Sequence, residues 1–230
     1  MSESINSSIY WKELCGPGGM SIWDNNYKDL SVCFQQISFK LPALVLIAIL
    51  SAYYNGKHGQ IRKENQRIIW PLTLRITMTI FSALIPIIHI CVITSLTTGF
   101  LRVIDYLEAA IESVAWLIHF SYLHTLQYNT AIPFRGPTKL CVVWSWHFVS
   151  TLLMLRSLII QTQKNLNPDV TYFIQLSRDF NICTFVFQIF YLLSLFINDK
   201  RTPGHYELRN TFDQPSEYDS LLGKEYSWKI

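Results

Sequence analysis

Long stretches of this sequence contain no Asp, Glu, Lys or Arg. The longest runs for 26 residues, from Ile76 to Leu101, and a second covers 19 residues, from Phe180 to Asn198. About 20 apolar residues cross the hydrocarbon core of a bilayer as a helix. The composition agrees, because only 15% of the 230 residues are charged, whereas a soluble domain carries about 25%. The sequence therefore predicts a polytopic membrane protein.

Five hydrophobic segments indicate the fold class, an all-α bundle of five transmembrane helices. The segments cover roughly residues 37–54, 69–96, 103–126, 139–160 and 172–197. We accordingly divide the chain into an outer N-terminal segment, a transmembrane domain and a cytoplasmic segment, at residues 1–35, 36–197 and 198–230. The N-terminal segment lacks a basic start followed by a short apolar run, so we expect no cleaved signal peptide.

The distribution of Lys and Arg predicts the orientation of the bundle. The segments after the first, third and fifth spans hold 11 of these residues, while the opposite side holds five, including Lys40. The positive-inside rule then places the amino terminus outside and the carboxyl terminus in the cytoplasm. The sequon Asn6-Ser7-Ser8 falls on the outer side, so we expect Asn6 to be available for N-glycosylation.

Several classes of function are disfavoured by what the sequence lacks. A net charge of +3, scattered along the chain, argues against a nucleic-acid partner. The sequence has no Walker loop for nucleotide phosphates, so we expect no ATP site and no enzyme activity in this chain. No Cys-x-x-Cys spacing occurs, and His119 and His124 are spaced poorly for one metal ion, so we predict no metal site.

Two cysteines of the outer segment, Cys15 and Cys33, lie 18 residues apart. An oxidising compartment favours a disulfide between them. The alternative is a pair of free thiols at the membrane surface.

Four polar residues of the third hydrophobic segment form one stripe on a helix. At 100° per residue, Asp105, Glu108, Glu112 and His119 fall within a 60° sector. Charged side chains are costly in lipid and usually face protein or water. The stripe is therefore predicted to point into the bundle as an intramembrane polar framework.

Depth in the membrane suggests partners for this stripe. We expect Asp105 and Glu108 to meet Arg156 and Arg178, Glu112 to meet His147, and His119 to meet Arg75. One interpretation is a proton or ion pathway. The other is a set of buried pairs that orient the helices, or a contact face for another membrane domain. Buried pairs are the more common use and are favoured here.

Short motifs along the chain carry a family resemblance. They are Leu14-Cys15-Gly16, Ile22-Trp23-Asp24, Cys33-Phe34-Gln35, Leu155-Arg156-Ser157 and the run from Asn198 to Pro203. In this order and spacing the chain resembles the N-terminal membrane domain of C-subfamily ATP-binding-cassette transporters, the multidrug resistance-associated proteins. The paired Cys-Gly and Cys-Phe elements are the most specific part.

The resemblance implies an ATP-driven exporter of organic anions, conjugates and drugs. Its two six-span domains and its two nucleotide-binding domains, which hold ATP and Mg, would lie beyond Ile230. The chain ends without a clear terminal element, so we expect a longer protein. The resemblance also implies a disulfide between Cys15 and Cys33.

In such exporters the five-span domain serves membrane targeting, stability and partner docking. Its implied partners are membrane lipid, the transporter core of the same polypeptide and another membrane protein, as in the sulfonylurea receptors of the subfamily, which dock onto a potassium channel. The implied location is the plasma membrane or an endolysosomal or vacuolar membrane. Two alternatives remain open: a complete small ion or proton carrier, and an accessory subunit of a channel or transporter.

Overall fold

The computed structural model describes residues 10–16, 19–59, 70–96, 101–128, 137–164 and 168–196. Five long helices form most of this part of the chain. Helix α1 runs without a break through Val32–Gln35, a π-helical turn at Gln36–Lys40 and Leu41–Gly59, and the others are α2 (Trp70–Leu96), α3 (Val103–Gln127), α4 (Thr138–Lys164) and α5 (Pro168–Phe196). The predicted all-α bundle is confirmed. The predicted glycosylation at Asn6 and the segment 198–230 lie outside the described residues.

Four of these helices are long and apolar enough to cross a membrane. The spans cover Val32–Lys57, Trp70–Leu96, Thr138–Lys164 and Thr171–Phe196. Helix α3 has a suitable length, but its acidic residues and histidines reduce its mean hydropathy, and it is not among the four. The structure is that of a helical bundle suited to a multi-pass membrane protein.

The five helices pack in a closed ring. Helix α3 packs against α1 and α2, α2 against α5, α5 against α4, and α4 against α1. The polar stripe of α3 faces the inside of this ring, because Glu108, Glu112 and His119 are buried whereas Leu107 and Val114 are exposed. The periodicity of the sequence predicted this side of α3 correctly.

A small hairpin precedes the bundle, in a segment for which the sequence analysis assigned no element. Strands β1 (Trp23–Asp24) and β2 (Asp29–Leu30) are antiparallel. The turn between them is closed locally, since the Asn26 amide donates to Asp24 Oδ1 at 2.9 Å. Asp and Asn favour such a turn, because their side chains hydrogen-bond to the backbone two residues away.

The hairpin is anchored to the bundle by covalent and polar contacts. The predicted disulfide is present and joins Cys15, at the end of the helical residues 10–15, to Cys33 in the first turn of α1. Both cysteines pack against the buried Ile104 of α3. On the opposite side, Ser157 of α4 donates to the buried Asp29 at 2.8 Å. These links hold the segment across one end of the bundle.

The other end of the bundle has a dense aromatic core. The rings of Trp144 and Tyr191 stack with centroids 4.0 Å apart, and Trp116 lies 4.4 Å from Trp144. All three side chains are almost completely buried. The bundle is thus tightly packed at the end away from the hairpin.

Candidate functional site

A buried ion-paired cluster lies between α1 and α3. The Lys40 ammonium contacts Glu108 Oε1 and, at 2.9 Å, Glu112 Oε2. The side chains of all three residues are at most 7% exposed. We call Lys40, Glu108 and Glu112 the buried triad.

Local helix geometry explains how one lysine meets two carboxylates. Glu108 and Glu112 are four residues apart on α3 and therefore lie on the same face, one turn apart. Lys40 is the last residue of the π-helical turn of α1, and α1 packs directly against α3. An unpaired charge at this depth would cost several kcal/mol, so the pairing stabilises the contact between these helices.

The triad contains more negative than positive groups, and two of its carboxylate oxygens accept no hydrogen bond from Lys40. One ammonium faces two carboxylates, which leaves a net charge of −1 when both carboxylates are ionised. Glu108 Oε2 and Glu112 Oε1 are buried and have no hydrogen-bond partner among the described residues. Buried polar atoms are seldom left without a partner, which makes these two oxygens candidates for contact with a further group.

The partner of the glutamates differs from the arginines expected. Arg156 has a side chain that is 64% exposed and lies 4.0 Å from Asp29, while Arg178 pairs with its neighbour Asp179 at 2.9 Å. Depth along a helix does not determine the direction in which a side chain points. Both arginines lie at the expected end of the bundle, but neither forms part of the framework around Glu108 and Glu112.

Asp105 caps its own helix. Its carboxylate accepts the backbone N–H of Arg102 at 2.9 Å and pairs with the Arg102 guanidinium at 2.9 Å. It also accepts from Gln36 of α1 at 2.9 Å. A carboxylate at this position of the first turn satisfies an otherwise unpaired amide, and Arg102 replaces the expected arginines of α4 and α5.

His119 occupies a second buried polar cluster, deeper in the bundle. Its Nδ1 lies 2.8 Å from Ser51 Oγ of α1, and its Nε2 lies 2.6 Å from the Tyr191 hydroxyl of α5. Arg75, its expected partner, is also buried and hydrogen-bonds to Tyr191. The Nε2 of His147 lies 2.9 Å from Gln188 Nε2, and its ring also interacts electrostatically with Glu112, its expected partner. Each histidine thus links two or more helices.

A cavity of about 940 Å³ lies at the hairpin end of the bundle. It is partly open, and its wall includes the hairpin, the disulfide and residues of all five helices. All three members of the buried triad line it, together with Asp105 and Arg102. The bundle is therefore hollow and polar at one end, and aromatic and dense at the other.

Lys40 is the main functional candidate that sequence reasoning missed. The orientation count treated it as an outer lysine, because it lies at the edge of the predicted first span. The predicted span, residues 37–54, already contained Lys40 near its outer end, but the structure begins α1 five residues earlier, at Val32, so Lys40 lies about two turns into the helix. Two nearby glutamines, Gln35 and Gln36, are also buried, and this polar cluster was the available signal.

The fold and site define a class: an all-α bundle with four helices suited to crossing a membrane and a charged, partly open cavity. No protein-family model, curated protein or solved structure matches the chain. Within the described ranges, no group of three or more His, Cys, Asp or Glu side chains is placed to hold a metal ion.

Proposed function

We propose that this chain is the N-terminal accessory membrane domain of an ATP-driven C-subfamily exporter, with roles in targeting, stability and partner docking. The main observation in support is that the polar stripe of α3 forms its contacts with other helices inside the bundle. Glu108 and Glu112 pair with Lys40 of α1, and His119 contacts Ser51 and Tyr191. Such contacts fix helices relative to one another, as an accessory domain with a defined docking shape requires.

Contacts between the motifs support the family proposal. Gln35, from the Cys-Phe-Gln motif, donates to Ser157, from the Leu-Arg-Ser motif, at 2.7 Å. Cys15 and Cys33, the centres of the two most specific motifs, are joined by the disulfide. Residues of different motifs that carry the resemblance therefore contact one another directly in the structure. On stretches such as Val114 to His119, we propose that the exporter resembles multidrug resistance-associated protein 7.

The proposal includes five spans, with the amino terminus outside and the carboxyl terminus in the cytoplasm. The bundle would reside in the plasma membrane or in an endolysosomal or vacuolar membrane. ATP and Mg would bind to the exporter core, and the core would carry organic anions, conjugates and drugs. This chain would contribute neither ATP hydrolysis nor the main substrate path.

The source transcript tests this proposal most directly. We expect the reading frame to continue past the codon for Ile230 into further spans and a Walker loop. We also expect the chain, when tagged and expressed at its native level, to co-purify with that core. A stop codon directly after Ile230 would overturn the accessory-domain proposal and leave the family resemblance only as ancestry.

A second candidate function is an ion or proton carrier, favoured by the cavity that reaches the buried triad. Proteoliposomes that contain only the 230-residue chain separate the two functions. The accessory-domain proposal predicts proton and sodium flux no faster than in empty liposomes, and no difference between the chain and its Glu112→Gln variant. Flux that depends on Glu112 would instead establish the carrier.

A further inference from the structure

The cavity at the hairpin end has the size of a small-molecule site. Its volume is about 940 Å³, at the upper end of the range of about 300–1,000 Å³ that is common for ligand pockets. Its wall is contributed by several helices that the polar clusters hold in place. A cavity of this kind is available to a ligand without rearrangement of the bundle.

The charges along the wall are unbalanced. Among the described lining residues, four are acidic (Asp24, Asp105, Glu108 and Glu112) and two are basic (Lys40 and Arg102). With every carboxylate ionised and the histidine neutral, the lining thus carries a formal net charge of −2. Asp105 is satisfied by Arg102, and Asp24 lies at the hairpin, so the excess negative charge at depth belongs to the triad.

The triad also has unused hydrogen-bond acceptors. Glu108 is 6% exposed and Glu112 is 3% exposed, and each has one carboxylate oxygen without a hydrogen bond of good geometry to the described residues, while the Trp116 indole lies beside Glu112. Lys40 uses the other oxygen of each. A buried carboxylate oxygen accepts strongly from a charged N–H donor. An ammonium group at this point would supply both the missing donor and the missing positive charge.

Part of the remaining wall is apolar and aromatic, and it adjoins polar residues such as Asn181 and Thr184. Phe173 and Phe180 of α5 line the cavity beside Met154 and Leu158 of α4. Apolar walls with a few convergent polar groups are typical of small-molecule sites, and aromatic faces attract cations. These walls suit a ligand that has an apolar body next to its charged group.

We propose that this cavity binds a small amphipathic organic ammonium ion, with the ammonium donating to Glu108 and Glu112 and the apolar body packed against Phe173 and Phe180. The cavity is partly open, and residues of the hairpin form part of its wall. Binding does not depend on the exporter proposal, since it uses only residues of this bundle.

The test uses the full chain in nanodiscs of phosphatidylcholine, a lipid without net charge, and 2-phenylethylammonium as the probe. Isothermal titration calorimetry is expected to show saturable binding at one site. The Glu108→Gln variant keeps the Lys40–Glu112 pair and removes the excess charge, so binding should weaken at least about tenfold. The matched control is Asp179→Asn, a carboxylate paired with Arg178 outside the cavity, and it should bind as the unaltered chain does.

Two further measurements distinguish a loss of the binding site from a folding defect. Ala109 lines the cavity, and Ala109→Trp should abolish binding by filling it, with all the carboxylates retained. Neutral 2-phenylethanol and anionic 3-phenylpropanoate should not give saturable binding. The proposal is overturned if folded protein fails to bind the probe, if Glu108→Gln binds it unchanged, or if the three compounds bind alike.

Discussion

At the scale of single residues, the three members of the buried triad depend on one another. Lys40 is the cation that pairs with both glutamates in the described structure, and its side chain is 6% exposed. Removing one partner of a buried ion pair leaves an uncompensated charge, whereas replacing the whole group with apolar side chains can be neutral. The triad is therefore stabilising only as a unit.

We predict that Lys40→Met lowers the free energy of unfolding by about 3–5 kcal/mol, because both carboxylates lose their counter-charge. Thermal unfolding of the detergent-solubilised chain, followed by size-exclusion chromatography after heating, measures this loss. The matched control is Lys57→Met, an exposed lysine of the same helix, which should change stability by less than about 0.5 kcal/mol.

The triple variant Lys40→Met, Glu108→Gln, Glu112→Gln removes all three charges and should recover a large part of the loss. Equal stability of Lys40→Met and the unaltered chain would show that the triad does not hold α1 against α3. The same comparison distinguishes a lost ion pair from a lost packing contact, since methionine keeps most of the volume of the lysine stem.

The residues of the polar stripe were predictable from the sequence, but their partners were not. A period of 100° per residue placed Glu108, Glu112 and His119 on one face of α3 without any tertiary information. Choosing a partner requires the rotation of each neighbouring helix and the start of α1. A lysine beside an apolar run has the same local sequence whether it lies at the membrane surface or, like Lys40, inside the bundle.

At the scale of elements, the first helix and the hairpin depend on each other. Ser31 caps α1 by accepting the Phe34 amide at 3.2 Å, and Cys33 ties the first turn of this helix to the preceding segment. The sequence placed the helices within a few residues because uncharged runs mark them clearly. The hairpin was not predicted, because strands of two residues are too short to show an alternation of apolar and polar side chains.

We predict that the double variant Cys15→Ser, Cys33→Ser lowers the free energy of unfolding by about 3 kcal/mol, because the unfolded chain regains the freedom of an 18-residue loop. The control is the double variant Cys91→Ser, Cys183→Ser, which alters two exposed free cysteines. Thermal unfolding without reductant gives both values. Equal melting temperatures for the two double variants would contradict the prediction.

At the scale of the whole molecule, the arrangement depends on whether α3 crosses the membrane. Its 25 residues span about 37 Å at 1.5 Å per residue, which exceeds the thickness of the hydrocarbon core. Its polar side chains are directed into the ring, while exposed positions such as Leu107, Val114 and Leu117 are apolar. An average over the helix cannot distinguish these faces, so its mean hydropathy understates how well α3 suits lipid contact.

We predict that α3 is a span, so that the hairpin and residues 198–230 lie on opposite sides of the membrane. Four spans would put them on the same side. Variants with one free cysteine, in a Cys91→Ser, Cys141→Ser, Cys183→Ser background that keeps the Cys15–Cys33 disulfide, measure this in microsomes with a membrane-impermeant maleimide. Ser220→Cys should react in sealed microsomes, and Asn25→Cys only after permeabilisation, because the lumen corresponds to the outer side. Reaction of both sites before permeabilisation would exclude the five-span arrangement, and the orientation proposed from the lysines and arginines would fail with it.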